Sequence, residues 1–226
     1  MNYTIDRSGV APLVEISLGS GETALIQAGS MVYRCGDVEL NARLNTNKGG
    51  IVGAIAKSAT SGESMFITEI SSPRGNGTIT IAPCVMGEIL ELEVGQRQYR
   101  LNDGSFLAMD SSVTYNMKRQ SVGRAVFGGQ GGLFVMETTG QGTLLASCFG
   151  AIKKITLDGS APMTFDNGHV VAWDASLDYK VGLQGGVLSS IKTGEGIVNT
   201  FTGSGDIYVQ TLSLARMAAM MGVGAA

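Results

Sequence analysis

The sequence is poor in charge, in histidine and in long apolar runs. Its 226 residues hold 16 Lys and Arg against 19 Asp and Glu, so charged side chains make up only 15% and the net charge is −3. That balance, with a pI near 5.2, argues against electrostatic binding to nucleic acid or to an anionic membrane. His169 is the single histidine. Zinc and iron sites take several His or Cys ligands at local spacing, so neither a metal nor a cofactor is expected. No apolar stretch reaches about 18 residues, which excludes a membrane-spanning helix. The opening MNYTIDRSG lacks the apolar segment of a secretory signal and the Arg-rich pattern of a transit peptide. Cys35, Cys84 and Cys148 are odd in number and have no C-x-x-C spacing, which fits buried thiols in a reducing compartment. A cytoplasmic protein is the expectation.

Glycine, by contrast, is abundant at 33 residues, and it punctuates the chain at regular intervals. Three stretches, at 62–83, 130–147 and 194–211, share one plan: an apolar run, a Gly-x-Gly tip, then a second run of alternating character. The tips are Gly75-Asn76-Gly77, Gly140-Gln141-Gly142 and Gly203-Ser204-Gly205, and their last glycines lie 65 and 63 residues apart. Period-two alternation marks strands, and glycine between two such runs predicts a hairpin. A second element precedes each stretch: Ala28-Gly29-Ser30, Asp103-Gly104-Ser105 and Asn167-Gly168-His169, each entering an apolar strand. Asp-Gly and Asn-Gly favour type I′ hairpin turns, so each unit reads as about four strands in two hairpins.

The fold class is therefore all-β, built of three tandem repeats at 1–83, 84–147 and 148–212, with a tail at 213–226. Only the first repeat carries a surplus, at 48–61, where Ile51, Ile55 and Ala59 recur at four-residue spacing between glycines. A short helical insertion is predicted there. The Ala- and Met-rich tail predicts a terminal helical turn that frays beyond Gly222 and Gly224.

Little in the chain reads as chemistry. His169 stands where the other repeats have Ser30 and Ser105, which makes it a turn residue before a catalytic one. Asp110 in AMDSSV matches Asp174 in AWDASL, while the first repeat has Arg34 and Cys35 at that point. Paired carboxylates do acid–base work, but an aspartate before serines also bonds its own backbone at a turn, and that is the expectation here. Cys84 and Cys148 match in the same way and read as small buried hydrophobes. The glycines around Gly19 and at 128–132 lack the Lys-Ser/Thr ending of a phosphate loop and the helix that a dinucleotide fingerprint requires. Lys118, Arg119, Arg124, Lys153 and Lys154 read as solvated edge charges. No catalytic, cofactor-binding or metal-binding residue is assigned.

The combination of AGSMV, SGESMFITEI, GSFLAMDSSV, GGLFV, GHVVAWD and GEGIVNTFTGSGDIYVQT resembles the altered-inheritance-of-mitochondria family over nearly the whole chain. The resemblance implies three repeats, each similar to a subunit of the trp RNA-binding attenuation protein (a double-stranded β-helix or sandwich type), assembled as a homotrimer. RNA binding does not carry over, because the repeats share no Lys/Arg pattern. Three functional classes are open: a non-enzymatic, homo-oligomeric scaffold, a small-ligand or RNA-binding module at repeat or subunit boundaries, and an enzyme resting on His169 and the matched aspartates. The first accounts best for repeated residues that are apolar, small or turn-forming.

Overall fold

The computed structural model describes residues 1–43, 67–102, 104–120, 133–183 and 196–222. The insertion predicted at 48–61, the glycines at 128–132, Asp103 and Arg124 lie outside them. The described chain is almost entirely β, as its alternation and turn content predict.

Among the described residues an N-terminal strand, β1 (Asn2–Asp6), precedes eighteen others. The first set of six is β2 (Leu13–Leu18), β3 (Glu22–Gln27), β4 (Met31–Cys35), β5 (Glu39–Arg43), β6 (Ile67–Ser72) and β7 (Gly77–Ile81). The second is β8 (Ile89–Val94), β9 (Tyr99–Asn102), β10 (Phe106–Asp110), β11 (Val113–Gln120), β12 (Leu133–Gly140) and β13 (Gly142–Ser147). The third is β14 (Ile152–Asp158), β15 (Met163–Asp166), β16 (Val170–Asp174), β17 (Asp178–Leu183), β18 (Ile197–Thr202) and β19 (Ser204–Gln210), followed by α1 (Leu214–Met220).

The described strands pair antiparallel, in four sheets ordered β1-β2-β7-β4, β5-β6-β3-β10-β13-β8, β11-β12-β9-β16-β19-β14 and β15-β18-β17, with one isolated parallel bridge between Gly87 and Gly150. One pattern accounts for the order. Within each set the sixth strand lies between the first and third, and the fifth lies between the second and fourth. Sets are then joined by pairing the second strand of one with the third of the next: β3 with β10, and β9 with β16. The third strand of every set carries a register shift at one equivalent point, between Met31 and Tyr33, Phe106 and Ala108, and Val170 and Ala172.

The predicted hairpins at the Gly-x-Gly tips are not formed. β6 and β7 belong to different sheets, as do β12 and β13, and β18 and β19. The tips are corners between layers. The Gly-Ser and Asn-Gly turns likewise carry the chain from one sheet to another, and Asn167–His169 forms a 3-10 turn. Each set thus has six strands where four in two hairpins are predicted. Alternation and glycine report a strand and a turn, but not whether the turn returns the chain in the plane of the sheet or out of it. Gly142 (φ 136°) shows what these corners require: a Cβ there would lie 2.8 Å from the Asp110 side chain. Gly205 is not in the left-handed region, and its constraint is purely one of space, with Asp174 Oδ2 3.0 Å from a Cβ.

Three apolar clusters fill the gaps between layers. Val14, Ile16, Ile79 and Ile81 meet Ile26 and Leu107 in the first. Leu92, Leu101, Phe106, Met109 and Leu144 lie in the second, and Trp173, Leu177, Phe201 and Ile207 in the third. The middle sheets are covered on both faces, which is why β10 and β16 read as continuous apolar runs, FLAM and VVAW. The cysteine expectation is corrected in part: Cys148 is buried, whereas Cys35 and Cys84 are exposed. Burial pushes the Cys148 thiol up to about 12.

Candidate functional site

The two joins between sets end on the matched aspartates. Asp110 closes β10 beside β3, and Asp174 closes β16 beside β9. Neither side chain is seen to bond its own turn, contrary to the sequence expectation, although the Asp174 carbonyl accepts the Leu177 N–H there. Asp110 Oδ2 accepts the backbone N–H of Thr143 at 2.6 Å, and Asp174 Oδ2 accepts that of Asp206 at 2.9 Å. Thr143 and Asp206 each directly follow the last glycine of their corner, so both carboxylates tie the start of the sixth strand to the end of the third. The glycine between leaves room for the carboxylate, which a side chain there would displace.

Beyond that shared bond the two joins differ. Asp110 Oδ1 forms an ion pair with the partly buried N-terminal ammonium of Met1. Asp174 adjoins Asp206, and the second carboxylate gathers the cations: Arg97 at 2.9 Å, Lys154 at 3.1 Å, and the Thr156 hydroxyl at 2.6 Å. A pocket of about 600 Å³ opens here, lined by Gln98, Thr156, Asp174, Ser176 and Asp206 among others. The Thr156 hydroxyl first, then Lys154 and Arg97, hold the Asp206 carboxyl below the usual carboxylate range against the opposing effect of desolvation.

A depressed carboxylate pKa stabilises the fold above its unfolded-state value of about 3.9, and that contribution is lost as pH falls through the folded-state value. Asp206→Asn is therefore expected to lower the urea midpoint at neutral pH and to converge with the parent in strong acid. Urea titrations at several pH values check this, and a deficit independent of pH would contradict it.

His169 lies at the other end of β16, with Nδ1 2.8 Å from the Gln210 carbonyl. Five residues of strand, roughly 16 Å, separate it from Asp174, so the histidine and the aspartates do not converge. Lys118 and Lys154 are half exposed but paired, with Glu137 at 2.8 Å and with Asp206. Asp206, Arg97 and the Met1 ammonium carry no signal in the sequence, because their importance comes from strands that meet only in the folded chain. Among the described residues no group of three or more His, Cys, Asp or Glu is placed to hold a metal ion, and no helix is long and apolar enough to cross a membrane.

The family described as Mitochondrial biogenesis AIM24 matches residues 3–212. This chain belongs to the AIM24 family. An uncharacterised protein of Streptococcus pyogenes serotype M6 is 56% identical over 221 residues, which cover 96% of this chain and 88% of that protein. A Streptococcus pyogenes protein whose crystal structure came from a structural genomics consortium is 53% identical, covers 98% of each chain and superposes with a TM-score of 0.84. The AIM24 match spans all three six-strand sets and both aspartate-ended joins, and stops at Leu212, just before α1.

Proposed function

We propose that this AIM24-family chain is a non-enzymatic cytoplasmic scaffold that works as a closed homo-oligomer, its copies joined head to tail by the same strand pairing that joins its own sets. The observation that carries the reading is a mismatch of edges. The third strands β10 and β16 are buried by β3 and β9, but β4, the third strand of the first set, has no such partner among the described residues and all five of its residues are exposed. Val32 is 52% and Tyr33 53% accessible. At the far end β15, the second strand of the last set, is also an open edge, with Met163 exposed. Open apolar edges are an association hazard unless something covers them.

Carrying the internal register across to these strands sets Tyr33 opposite Phe165, Arg34 opposite Thr164 and Cys35 opposite Met163. A head-to-tail contact of this kind closes into a ring or grows without limit, and closure is the solution compatible with a discrete particle. Family resemblance favours three copies, with repeats similar to those of the trp RNA-binding attenuation protein. Equivalent positions differ in charge, as Glu15, Glu91 and Lys154 do, which supports a protein surface over a repeated RNA contact. Three free cysteines fit a reducing compartment. Light scattering coupled to size exclusion at micromolar concentration is expected to give three times the 23.5 kDa chain mass. A monomer mass would refute the proposal.

A further inference from the structure

The two joins present the same carboxylate, and only one of them is fully partnered. Asp110 Oδ2 takes a backbone N–H and Oδ1 takes the Met1 ammonium. Asp174 Oδ2 takes the equivalent N–H, but its Oδ1 is buried without a hydrogen-bond partner among the described residues. The side chain is only 9% exposed and borders the 600 Å³ pocket. Arg97 does not bond this oxygen: its guanidinium bonds Asp206 and lies 3.9 Å from the other oxygen, Asp174 Oδ2. Buried carboxylate oxygens are normally paired, so an orphan beside a pocket points to a missing donor.

What supplies that donor at the first join is a strand. β1 pairs antiparallel with β2, from Asp6 opposite Leu13 to Asn2 opposite Ser17, and so delivers its own N-terminus to Asp110. β8 is the counterpart of β2 in the second set, and it is the last strand of its sheet. Among the described residues no strand takes beside β8 the position that β1 occupies beside β2. We infer that the Asp174 pocket binds the free N-terminal ammonium of an extended polypeptide, which adds as a strand to the open edge of β8. Strand addition supplies main-chain bonds in a sequence-tolerant way, and a buried carboxylate selects for the charged end.

The facing side chains refine the ligand. Glu91 holds β1 through the Tyr3 hydroxyl at 2.8 Å and Arg7 at 2.5 Å. Its counterpart in the third set is Lys154, half exposed and bonded to Asp206 at 3.1 Å, so an acidic third residue of the peptide would share that ammonium. This site uses neither β4 nor β15, and its failure would leave the assembly reading untouched.

The probe is a synthetic peptide of this chain's first six residues with Tyr3→Glu, titrated into the full-length protein by calorimetry. Saturable binding is expected, weakened at least ~10-fold by N-terminal acetylation, because removing one partner of a buried charge pair costs more than a rim contact. Asp174→Asn is expected to weaken the free peptide to the level of the acetylated one. Equal affinity of the two peptides for the parent protein would overturn the inference even if that variant fails to fold. So would an absence of binding, or displacement of the peptide by methylamine at equal concentration, which would leave a small-amine site with no strand.

Discussion

Trp173→Ala is expected to lower the unfolding free energy by about 3–5 kcal/mol, the cost of emptying a large buried aromatic position. Trp173 is fully buried at the centre of the third cluster. It meets Tyr179 edge-on at 5.0 Å and Phe201 at 5.4 Å, and Phe165 packs on Phe201 behind them. This aromatic group ties β16, from the third sheet, to β17 and β18, from the fourth, so the cavity would open between layers where no other element can move in. The indole Nε1 has no hydrogen-bond partner among the described residues. Trp173→Phe should therefore cost much less, since it gives up volume but removes an unsatisfied donor, whose burial costs about 1–3 kcal/mol. Urea unfolding at one fixed protein concentration, necessary for an assembly, separates the two. Equal losses in the two variants would show that the ring packing does not hold the layers together.

Asp110→Ala is expected to cost about 1–3 kcal/mol, because it strips the charged partner from the partly buried Met1 ammonium. The variant leaves the Met1 nitrogen charged and without its counter-ion, and also leaves the Thr143 N–H without its acceptor. N-terminal acetylation of the parent removes the charge from the other side. Coupled groups are not additive, so Asp110→Ala should lose less in the acetylated protein than in the free one. Identical losses in both backgrounds would show that the ion pair contributes nothing, and that only the Thr143 bond matters.

Much of this was legible before any coordinates. Alternation through Ile79 and Ile81, Leu144 and Ala146, and Ile207 and Val209 marks real strands, and the tip glycines mark real corners. The pairing of Asp110 with Asp174 is visible as AMDSSV against AWDASL, and the two do perform one task. What the chain does not display is which sheet a strand joins. β6 and β7 are adjacent in sequence yet lie in different layers, since burial on both faces and partner choice are set by strands tens of residues away. For the same reason the Met1 ammonium and Asp206 carry no local pattern: each acquires its role from a carboxylate more than thirty residues distant. Cys84 matches Cys148 in position but not in burial, because equivalent corners of successive sets are covered by different neighbours.

The assembly reading rests on β4 of one copy lying against β15 of the next, and one substitution tests that contact directly. The internal register places Met163 opposite Cys35, and directly opposed strand residues have Cβ atoms about 4.5–5.5 Å apart, within reach of a disulfide after slight adjustment. Met163→Cys, oxidised at micromolar concentration and run on a non-reducing gel, is expected to yield covalent dimers and trimers that vanish when Cys35→Ser is added. A monomer band alone, or cross-linking that persists without Cys35, would contradict it.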